Sequence, residues 1–257
     1  MKINNKKILI YIKSFLKIYK NRPIKNNKHG MKINHMFAFY YLLKKIKPNY
    51  IIESGVFRGQ GTWLIETVLP NSKVFSIDLD LTQRTYKSKR VKYLDYDFKY
   101  FNEKIEPNKT LAFFDDHTDH LERIKQCKYL NIKDIIFEDN YEIGKGDFNS
   151  LKLILKQKNF IHKVHFFSHL KTWIIFTIEI LKKIFLTNYI FNLDKILFRL
   201  RDRVNKKNNI QIKDIESIFI FPKILSLVKQ TKYRKKLIKD YKKELNSYNS
   251  FTYVRLK

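Results

Sequence analysis

The stretch that decides the fold is Tyr50-Ile-Ile-Glu53-Ser-Gly55-Val-Phe-Arg-Gly59-Gln-Gly61-Thr62. A short apolar run ends in an acid, passes through three glycines and continues into a helix-like segment, 63–69. This order is typical of the ligand site that an open α/β sheet builds at the carboxyl end of its first strand. Glycine lets the backbone take positive φ and approach a ligand. The start of the helix offers unpaired N–H groups to an anionic group.

The spacing of these glycines excludes two common nucleotide-binding loops. A dinucleotide fingerprint would place glycines at positions 55, 57 and 60, but Phe57 and Gln60 stand at the last two. A phosphate-binding P-loop would need Gly-Lys-Ser/Thr, which this stretch lacks. The pattern that remains is Glu53-x-Gly55-x-x-x-Gly59-x-Gly61.

The composition allows a sizeable core and gives the chain an extreme positive charge. With 257 residues, 44% of them hydrophobic, the chain suits one α/β domain with an elaboration. The formal charge of +29 comes mostly from lysine, and its simplest interpretation is a solvated lysine surface. The alternatives are attraction to nucleic acid, to an anionic membrane face or to polyanionic glycans. Arginine is sparse and no nucleic-acid-binding motif is recognisable, so nucleic acid is disfavoured as a partner.

Cysteine usage and the absence of a recognisable targeting signal favour the cytoplasm. The single cysteine, Cys127, excludes an internal disulfide and a multi-cysteine metal site. No apolar signal-peptide core follows the basic start of the sequence. The apolar run 172–178 is followed by Glu179, Lys182 and Lys183, whereas a spanning helix needs about 20 mainly apolar residues. We therefore expect a cytoplasmic protein, with peripheral membrane contact as an open alternative.

Two segments elaborate the predicted sheet domain. Residues 1–30 are predicted to form a basic amphipathic helix, over 5–20, and a polar linker. The apolar face of this helix either packs on the domain or lies on a membrane surface, where each lysine near an anionic leaflet adds about 1 kcal/mol. Residues 31–257 form the domain itself, with a helical, lysine-rich insertion at about 160–212 that is too long for a plain crossover connection.

Short apolar runs alternate with helical segments along the domain, which predicts a mostly parallel sheet in an α/β fold. Helices are predicted at 35–46, after the glycine stretch and at 233–245. The strands are predicted at 50–54, 73–78, 91–94, 110–114 and 134–138, with two closing strands at 217–221 and 251–256.

Acidic residues follow several of these strands, at the edge where open parallel sheets place functional groups. Asp78 ends the second strand, where a carboxylate can accept hydrogen bonds from both hydroxyls of a ribose. Asp97 follows the third strand. Either acid could instead be an ordinary solvated loop residue.

Two denser polar clusters follow the fourth and fifth strands. The first is Asp115-Asp116-His117-Thr-Asp119-His120, and the second is Glu138-Asp139-Asn140-Tyr141. Adjacent parallel strands end about 5 Å apart, so the two clusters could converge on one hard cation, for which all-oxygen ligation suits Mg²⁺, Mn²⁺ or Ca²⁺. The alternative for the first cluster is helix capping by Asp119 with Glu122, and for the second an acidic loop.

Together, the glycine pattern and the two clusters resemble class I S-adenosylmethionine-dependent methyltransferases, and within them the metal-dependent O-methyltransferases of the catechol, macrolide-sugar and cephalosporin-hydroxylase-like group. The resemblance covers about residues 48–150 by motif. It implies a Rossmann-like sheet of about seven strands with the last strand antiparallel, and S-adenosylmethionine as cofactor. The cofactor-binding residues that it implies are Glu53, Gly55, Gly59, Gly61, Thr62, Asp78, Asp97 and Asp115.

The same resemblance implies a divalent cation, with magnesium the first choice. Carried over residue by residue, the ligands would be Asp116, Asp139 and Asn140. Glu138 and Asp115 are second candidates, because the register of each acidic pair is ambiguous by one residue.

Two histidines beside the predicted metal site are candidate bases. Methyl transfer to a hydroxyl requires that the hydroxyl lose its proton. A metal can lower the pKa of the hydroxyl, and a nearby base can accept the proton. His117 is the first choice and His120 the second, since the lysine of the catechol enzymes is not matched here.

The resulting hypothesis is metal-assisted O-methylation of a sugar, a glycan precursor or another small hydroxylated acceptor. The alternative is a non-catalytic or differently catalytic Rossmann-like protein held at an anionic membrane or polyanion by its lysines. The oligomeric state stays open.

Overall fold

A computed structural model describes residues 3, 8–141, 148–152, 214–228 and 232–257. These residues belong to one compact unit, Met1–Ile154 with Ile212–Lys257. The helical insertion predicted at about 160–212 lies outside the described residues.

The described helices and strands alternate in the first half of the chain, as the sequence pattern predicts. The helices are α1 (Ile8–Tyr19), α2 (Ile33–Ile46), α3 (Gln60–Val68), α4 (His120–Tyr129), α5 (Ile224–Leu227) and α6 (Lys232–Leu245). The strands are β1 (Tyr50–Ser54), β2 (Lys73–Ile77), β3 (Val91–Leu94), β4 (Thr110–Phe114), β5 (Asp134–Phe137), β6 (Ile215–Ile220) and β7 (Thr252–Leu256).

These strands form one seven-stranded sheet in the order β3-β2-β1-β4-β5-β7-β6. β1 to β5 pair in parallel, while β7 is antiparallel to both β5 and β6. The predicted Rossmann-like fold class is therefore confirmed. β6 begins two residues earlier than predicted, and its pairing with β7 is irregular between Ile215 and Ser217.

The sheet order places β1 at the point where the connections change direction, with β2 on one side and β4 on the other. In open α/β sheets, ligands bind at the carboxyl ends of the strands beside such a switch point. The buried strands are almost continuously apolar, as expected for a parallel sheet that is covered on both faces. The polar residues at and just after the carboxyl ends of β1, β4 and β5 are the residues of the candidate site.

Helix α1 packs its apolar side into the core of this unit. Ile8, Ile12, Phe15 and Tyr19 are all buried, and Phe15 lies against Phe37 of α2. Burying a large apolar side chain contributes about 1.5–3 kcal/mol, which explains why the helix docks here. Its apolar face is therefore not the surface that could meet a membrane. Among the described residues, no helix is long and apolar enough to cross a bilayer.

Candidate functional site

The loop between β1 and α3 takes a conformation that requires glycine. Gly55 has φ +97° and Gly59 has φ +85°, both in the left-handed region. A Cβ atom at position 55 would lie 2.0 Å from the carbonyl oxygen of Asp115. The loop therefore passes directly against the end of β4, and a side chain at position 55 would force the two apart.

The acid at the end of β2 holds this loop in place. Asp78 Oδ2 accepts hydrogen bonds from the backbone N–H groups of Val56 (2.7 Å) and Phe57 (2.9 Å), and Oδ1 accepts from Asp80 N–H (3.0 Å). A carboxylate offers about four lone-pair sites, so capacity remains after these bonds. The sequence predicts Asp78 as a partner for a ribose, and the structure puts it beside the glycine loop.

Glu53, at the end of β1, is buried behind the same loop. Its Oε2 accepts from the hydroxyls of Thr62 (2.5 Å) and Ser76 (2.6 Å), while Oε1 has no hydrogen-bond partner within the described part of the chain. Burial raises the pKa of Glu53 to about 7. A Cβ at Gly61 would lie 2.3 Å from Oε1, so the third glycine of the motif makes room for this carboxyl group.

The N-terminus of α3 opens onto the loop without a side-chain cap. Gly59 is the N-cap residue and makes no side-chain bond, so the N–H groups of the first turn depend on other partners. Gln60, the first residue of the helix, is 3% exposed, and neither Nε2 nor Oε1 of its amide has a partner among the described residues. Gln60 carries no signal of its own in the sequence, because the glycine pattern marks its position only by the absence of a glycine.

A buried arginine organises the residues after β3 and β4. Arg123 of α4, 2% exposed, donates from Nη1 to Asp97 Oδ1 (2.8 Å) and from Nη2 to Asp97 Oδ2 (3.1 Å). Its Nη2 also lies 2.8 Å from Asp116 Oδ2, which accepts a 2.5 Å hydrogen bond from Ser54. Burial alone would raise the pKa of Asp97, but hydrogen bonds and charge from Arg123 hold it below its ordinary value. Asp97 and Asp116 thus serve an internal ion network.

Three other side chains form the candidate metal centre. One ligand atom each from Asp115, His117 and Asp139 lie within 4.8 Å of one another. His117 Nε2 is 3.6 Å from Asp139 Oδ2. Carboxylate oxygens with one imidazole nitrogen can hold a divalent cation such as Mg²⁺ or Mn²⁺.

This grouping favours the alternative register of the first acidic pair, since Asp115 rather than Asp116 lies beside His117 and Asp139. The N–H of Asp115 still bonds to the carbonyl of Ser54 on β1 (2.8 Å), so the backbone stays extended for one residue beyond β4. Successive side chains of an extended chain point to opposite faces. Asp115 therefore meets Asp139 while Asp116 meets Arg123.

The other two predicted ligands are engaged elsewhere. Asn140 is buried, donates from Nδ2 to Thr252 Oγ1 (2.9 Å) and accepts at Oδ1 from Lys152 N–H (2.8 Å). Glu138 is buried against Nδ1 of His35 from α2. Neither joins the group of Asp115, His117 and Asp139, and both instead tie the end of β5 to its neighbours.

The carboxyl groups around this centre are crowded, with Glu138 and Asp139 buried and Asp115 half-buried. Burial, and then the charge of Asp139, raises the pKa of Asp115 well above its ordinary value. Burial, and then the charge of Asp115, does the same to Glu138. Burial lowers the pKa of His35 to about 4, so this imidazole does not supply a compensating charge. Such a cluster of acids is stabilised by a cation.

The two candidate bases differ sharply in their surroundings. The His117 side chain is 55% exposed, and its backbone is left-handed at φ +52°. His120 is 3% exposed, its ring stacks on Phe137 with centroids 3.9 Å apart, and its Nδ1 accepts from Leu151 N–H (3.0 Å). Burial lowers the pKa of His120 to about 3, so its ring is neutral. Of the two, His117 belongs to the candidate metal centre and His120 does not.

The predicted capping role of Asp119 also holds, because its Oδ1 accepts from the N–H groups of Leu121 (2.9 Å) and Glu122 (3.3 Å) at the start of α4. The helix-capping interpretation of the first cluster thus applies to Asp119, while Asp115 and Asp116 have separate partners.

Aromatic residues that the sequence analysis did not assign surround Asp139. Tyr248 donates to Asp139 Oδ1 (3.0 Å), and the hydroxyls of Tyr248 and Tyr141 are 3.1 Å apart. Phe148 lies edge-on to His117 with centroids 6.0 Å apart and 5.9 Å from the Tyr141 ring. Tyr248 comes from the segment before β7, about a hundred residues away in sequence, so no local pattern could have indicated this contact.

A separate cavity of about 560 Å³ lies at the opposite edge of the sheet, near the starts of β1, β4 and β5. Its lining includes Lys45, Lys109, Asp134 and Arg255. Asp134 is paired there with Arg255 (2.7 Å). This cavity is distinct from the glycine loop and the metal centre.

Several solved methyltransferase structures are similar to this chain. Podospora anserina methyltransferase PaMTH1 with bound SAH is 11% identical, with 96% of this chain and 87% of that chain covered and a TM-score of 0.44. The O-methyltransferase from Bacillus cereus in complex with SAH is 17% identical, with 50% and 66% covered and a TM-score of 0.38. The SAH complex of CmcI-N160 is 17% identical at a TM-score of 0.38, and the chain spans 66% of its length. No family model and no curated protein matches the chain.

Proposed function

We propose that this chain is an S-adenosylmethionine-dependent methyltransferase that methylates a hydroxyl oxygen with the help of a divalent cation. The observation that carries the proposal is the juxtaposition of two features at the switch point of the sheet. The glycine loop, held by Asp78, packs at Gly55 against the backbone of Asp115, and Asp115 belongs to the candidate metal centre. A cofactor in the loop would thus lie beside a cation and its acceptor.

The residues present fit the cofactor. Because Gly55 and Gly59 have no Cβ, the loop can pack against the backbone of Asp115 and Tyr86, and the uncapped start of α3 offers N–H groups to a carboxylate. Glu53 Oε1 and the amide of Gln60 are buried polar atoms that lack partners in the described ranges. Such atoms cost free energy unless they are satisfied, which a polar ligand would do. Asp78 retains the capacity to accept from ribose hydroxyls.

The residues of the candidate metal centre fit a divalent cation, since Asp115 and Asp139 bring oxygen donors into a crowded acidic site. When bound, the cation supplies Lewis acidity that lowers the pKa of a coordinated hydroxyl. Asp115 and Asp139 would hold it, while His117 stays off the cation, where its exposed imidazole can act as a base.

The protein has to align the cofactor with the acceptor and remove the proton of the acceptor hydroxyl. S-Adenosylmethionine, when bound, supplies a methyl group on a sulfonium. The glycine loop and Asp78 orient this group, which is the principal contribution of the protein to an in-line displacement. The bound cofactor would supply this methyl group to the acceptor oxygen with cleavage of its carbon–sulfur bond, and SAH would be the leaving group. His117 would accept the hydroxyl proton, and the negative charge of Asp139, whose Oδ2 lies 3.6 Å from His117 Nε2, would stabilise the imidazolium.

The acceptor that we propose is a sugar, a glycan precursor or another small hydroxylated molecule. Support comes from the aromatic side chains beside Asp139, of which Tyr248 is 51% exposed. Aromatic faces suit the flat apolar side of a ring, while the polar centre beneath them suits its hydroxyl groups.

Isothermal titration with S-adenosylmethionine tests the proposal directly. We expect the wild-type protein to bind S-adenosylmethionine and SAH. Asp78→Ala should abolish binding, since the loop loses its anchor and the ribose its acceptor. The matched control is Asp80→Ala, two residues away, whose carboxylate accepts from Thr82 and Gln83. Failure of the wild-type protein to bind either compound would overturn the proposal.

A further inference from the structure

Helices α1 and α6 lie side by side on one surface of the described unit. Lys13 Nζ of α1 is 4.8 Å from the centre of the Tyr233 ring near the start of α6. The rings of Tyr19 and Tyr241 are 5.6 Å apart further along. Because the contacts advance in the same direction on both helices, the two helices are neighbours along this part of their lengths.

That surface is depleted of acidic charge. The first acidic residue of the whole sequence is Glu53, so α1 and everything before it contain none. On α6, Glu244 is used internally, since it pairs with Arg22 at 2.7 Å and accepts from the Tyr19 hydroxyl. Among the described residues of the two helices, Asp240 is the exposed acid.

The exposed cations on this surface are lysines, and we name them the α1–α6 lysine face. Its members are exposed and belong to α1, to the residue that follows it, or to α6: Lys13, Lys17, Lys20, Lys235, Lys236, Lys239, Lys242 and Lys243. The two arginines nearby turn inward. Arg22 binds Glu244, and Arg234 donates to the carbonyl groups of Leu225 (2.7 Å) and Val228 (3.2 Å).

Two apolar side chains stand among these lysines. Ile10 of α1 is 64% exposed and Ile238 of α6 is 39% exposed. Each adjoins the lysines of its own helix, with Lys13 one turn after Ile10 and Lys235 one turn before Ile238. An isolated exposed isoleucine is ordinary, but on a basic surface it adds an apolar contact to the electrostatic one.

We propose that the α1–α6 lysine face docks the protein on an anionic lipid bilayer. Two helices that lie side by side present their lysines to a surface rather than to a narrow groove. Lysines near an anionic leaflet each add to the attraction, and exposed isoleucines can enter the interfacial region. Recognition of nucleic acid by contrast favours exposed arginine guanidinium groups and aromatic rings that stack on bases. The two arginines beside the α1–α6 lysine face instead turn inward. Docking is peripheral, because the apolar side of α1 is buried in the core.

Vesicle co-sedimentation of the whole chain tests this docking, without cofactor or metal. We expect binding to phosphatidylcholine vesicles that contain about one third phosphatidylglycerol, no binding to pure phosphatidylcholine, and loss of binding at high salt. The triple variant Lys235→Gln, Lys239→Gln and Lys242→Gln should weaken binding about tenfold or more.

A matched triple variant, Lys73→Gln, Lys89→Gln and Lys104→Gln, removes the same amount of charge from exposed positions elsewhere. It should weaken vesicle binding less than about threefold. Both variants should keep the wild-type unfolding temperature, because the altered side chains are exposed. Equal weakening by the two triples would overturn the proposal, since it would indicate net charge rather than a face.

The isoleucines distinguish a bilayer from another polyanion. Ile10→Ser with Ile238→Ser should weaken binding to anionic vesicles and leave binding to double-stranded DNA unchanged. Tighter binding of the wild-type protein to DNA than to anionic vesicles at the same salt concentration would reject the bilayer as the partner. None of these outcomes depends on methyl transfer, so failure of this inference would not refute the proposed function, and failure of the proposed function would not refute this inference.

Discussion

The carboxylate of Asp116 lies 2.8 Å from the guanidinium of Arg123 and accepts a 2.5 Å hydrogen bond from Ser54. Its neighbour Asp115 instead lies with Asp139 and His117 in the candidate metal centre. Two adjacent acids in one sequence motif therefore have different roles. Asp116 stabilises the end of β4, and Asp115 is available to a ligand.

This division predicts opposite effects for two conservative variants. Asp115→Asn should weaken the binding of Mn²⁺ alone by about tenfold or more, because a charged oxygen donor is lost. Asp116→Asn should leave Mn²⁺ affinity nearly unchanged but lower the free energy of unfolding by about 1–3 kcal/mol, since Arg123 keeps only Asp97 as a charged partner. Electron paramagnetic resonance of Mn²⁺ and urea unfolding give the two readouts.

Reversed results would assign the ligand to Asp116 and refute the choice of Asp115. Absence of Mn²⁺ or Mg²⁺ binding by the wild-type protein would refute the metal centre itself while leaving cofactor binding by the glycine loop intact.

The glycine loop gives a second prediction. Gly55→Ala should prevent S-adenosylmethionine binding and destabilise the fold, because the added Cβ would lie 2.0 Å from a backbone oxygen and φ is +97°. A residue forced into such backbone geometry costs about 1–3 kcal/mol. Titration calorimetry and thermal unfolding measure the two effects.

Gly30→Ala is the matched control. Its Cβ would meet the side chain of Asn27, which can move, and this glycine has no positive φ that demands it. We expect near wild-type binding. Wild-type affinity in Gly55→Ala would show that the loop does not form the cofactor cradle.

A third prediction separates the two histidines. His117→Ala should lower kcat by a factor of about 10² or more through loss of the base, with little change in stability because the side chain is 55% exposed. His120→Ala should lower the free energy of unfolding by about 1–3 kcal/mol, since the N–H of Leu151 loses its acceptor. If instead His120→Ala abolished turnover without loss of stability, the base would be His120.

The sheet and the glycine loop were predictable because their signals are local. Short apolar runs that end in acids mark parallel strands, and the spacing of Gly55, Gly59 and Gly61 shapes a loop within a few residues. The choice between Asp115 and Asp116 was not predictable, because it depends on whether the backbone stays extended for one residue after Phe114.

The residues that contact the site acids could not be predicted from the sequence, for a different reason. Arginine in a helix is ordinarily exposed, so nothing in the sequence marked Arg123 as a buried partner of Asp97 and Asp116. The burial of His120, at the start of α4, depends on Phe137 at the end of β5. Contacts of this kind become visible only once the strands are paired.

The last prediction concerns the pH dependence of stability and rests on Glu53. Burial raises its pKa from 4.5 to about 7 in the folded protein. Between these values the folded state holds a proton that the unfolded chain has released, so the contribution of Glu53 to stability is full below pH 4.5 and is lost as the pH rises through 7. The loss has an upper limit of about 3 kcal/mol. Glu53→Gln keeps an uncharged side chain and should lack this loss.

Urea unfolding of both proteins between about pH 5 and pH 8 measures the difference. Other groups titrate in both proteins, so the informative quantity is the free energy of unfolding of the wild type minus that of Glu53→Gln, which should fall as the pH rises. Glu106→Gln is the control, because Glu106 is exposed and pairs with Lys109, and it should show no such trend over this range. A pH-independent difference for Glu53→Gln would mean that the carboxyl group stays ionised when buried, and that Thr62 and Ser76 solvate its charge.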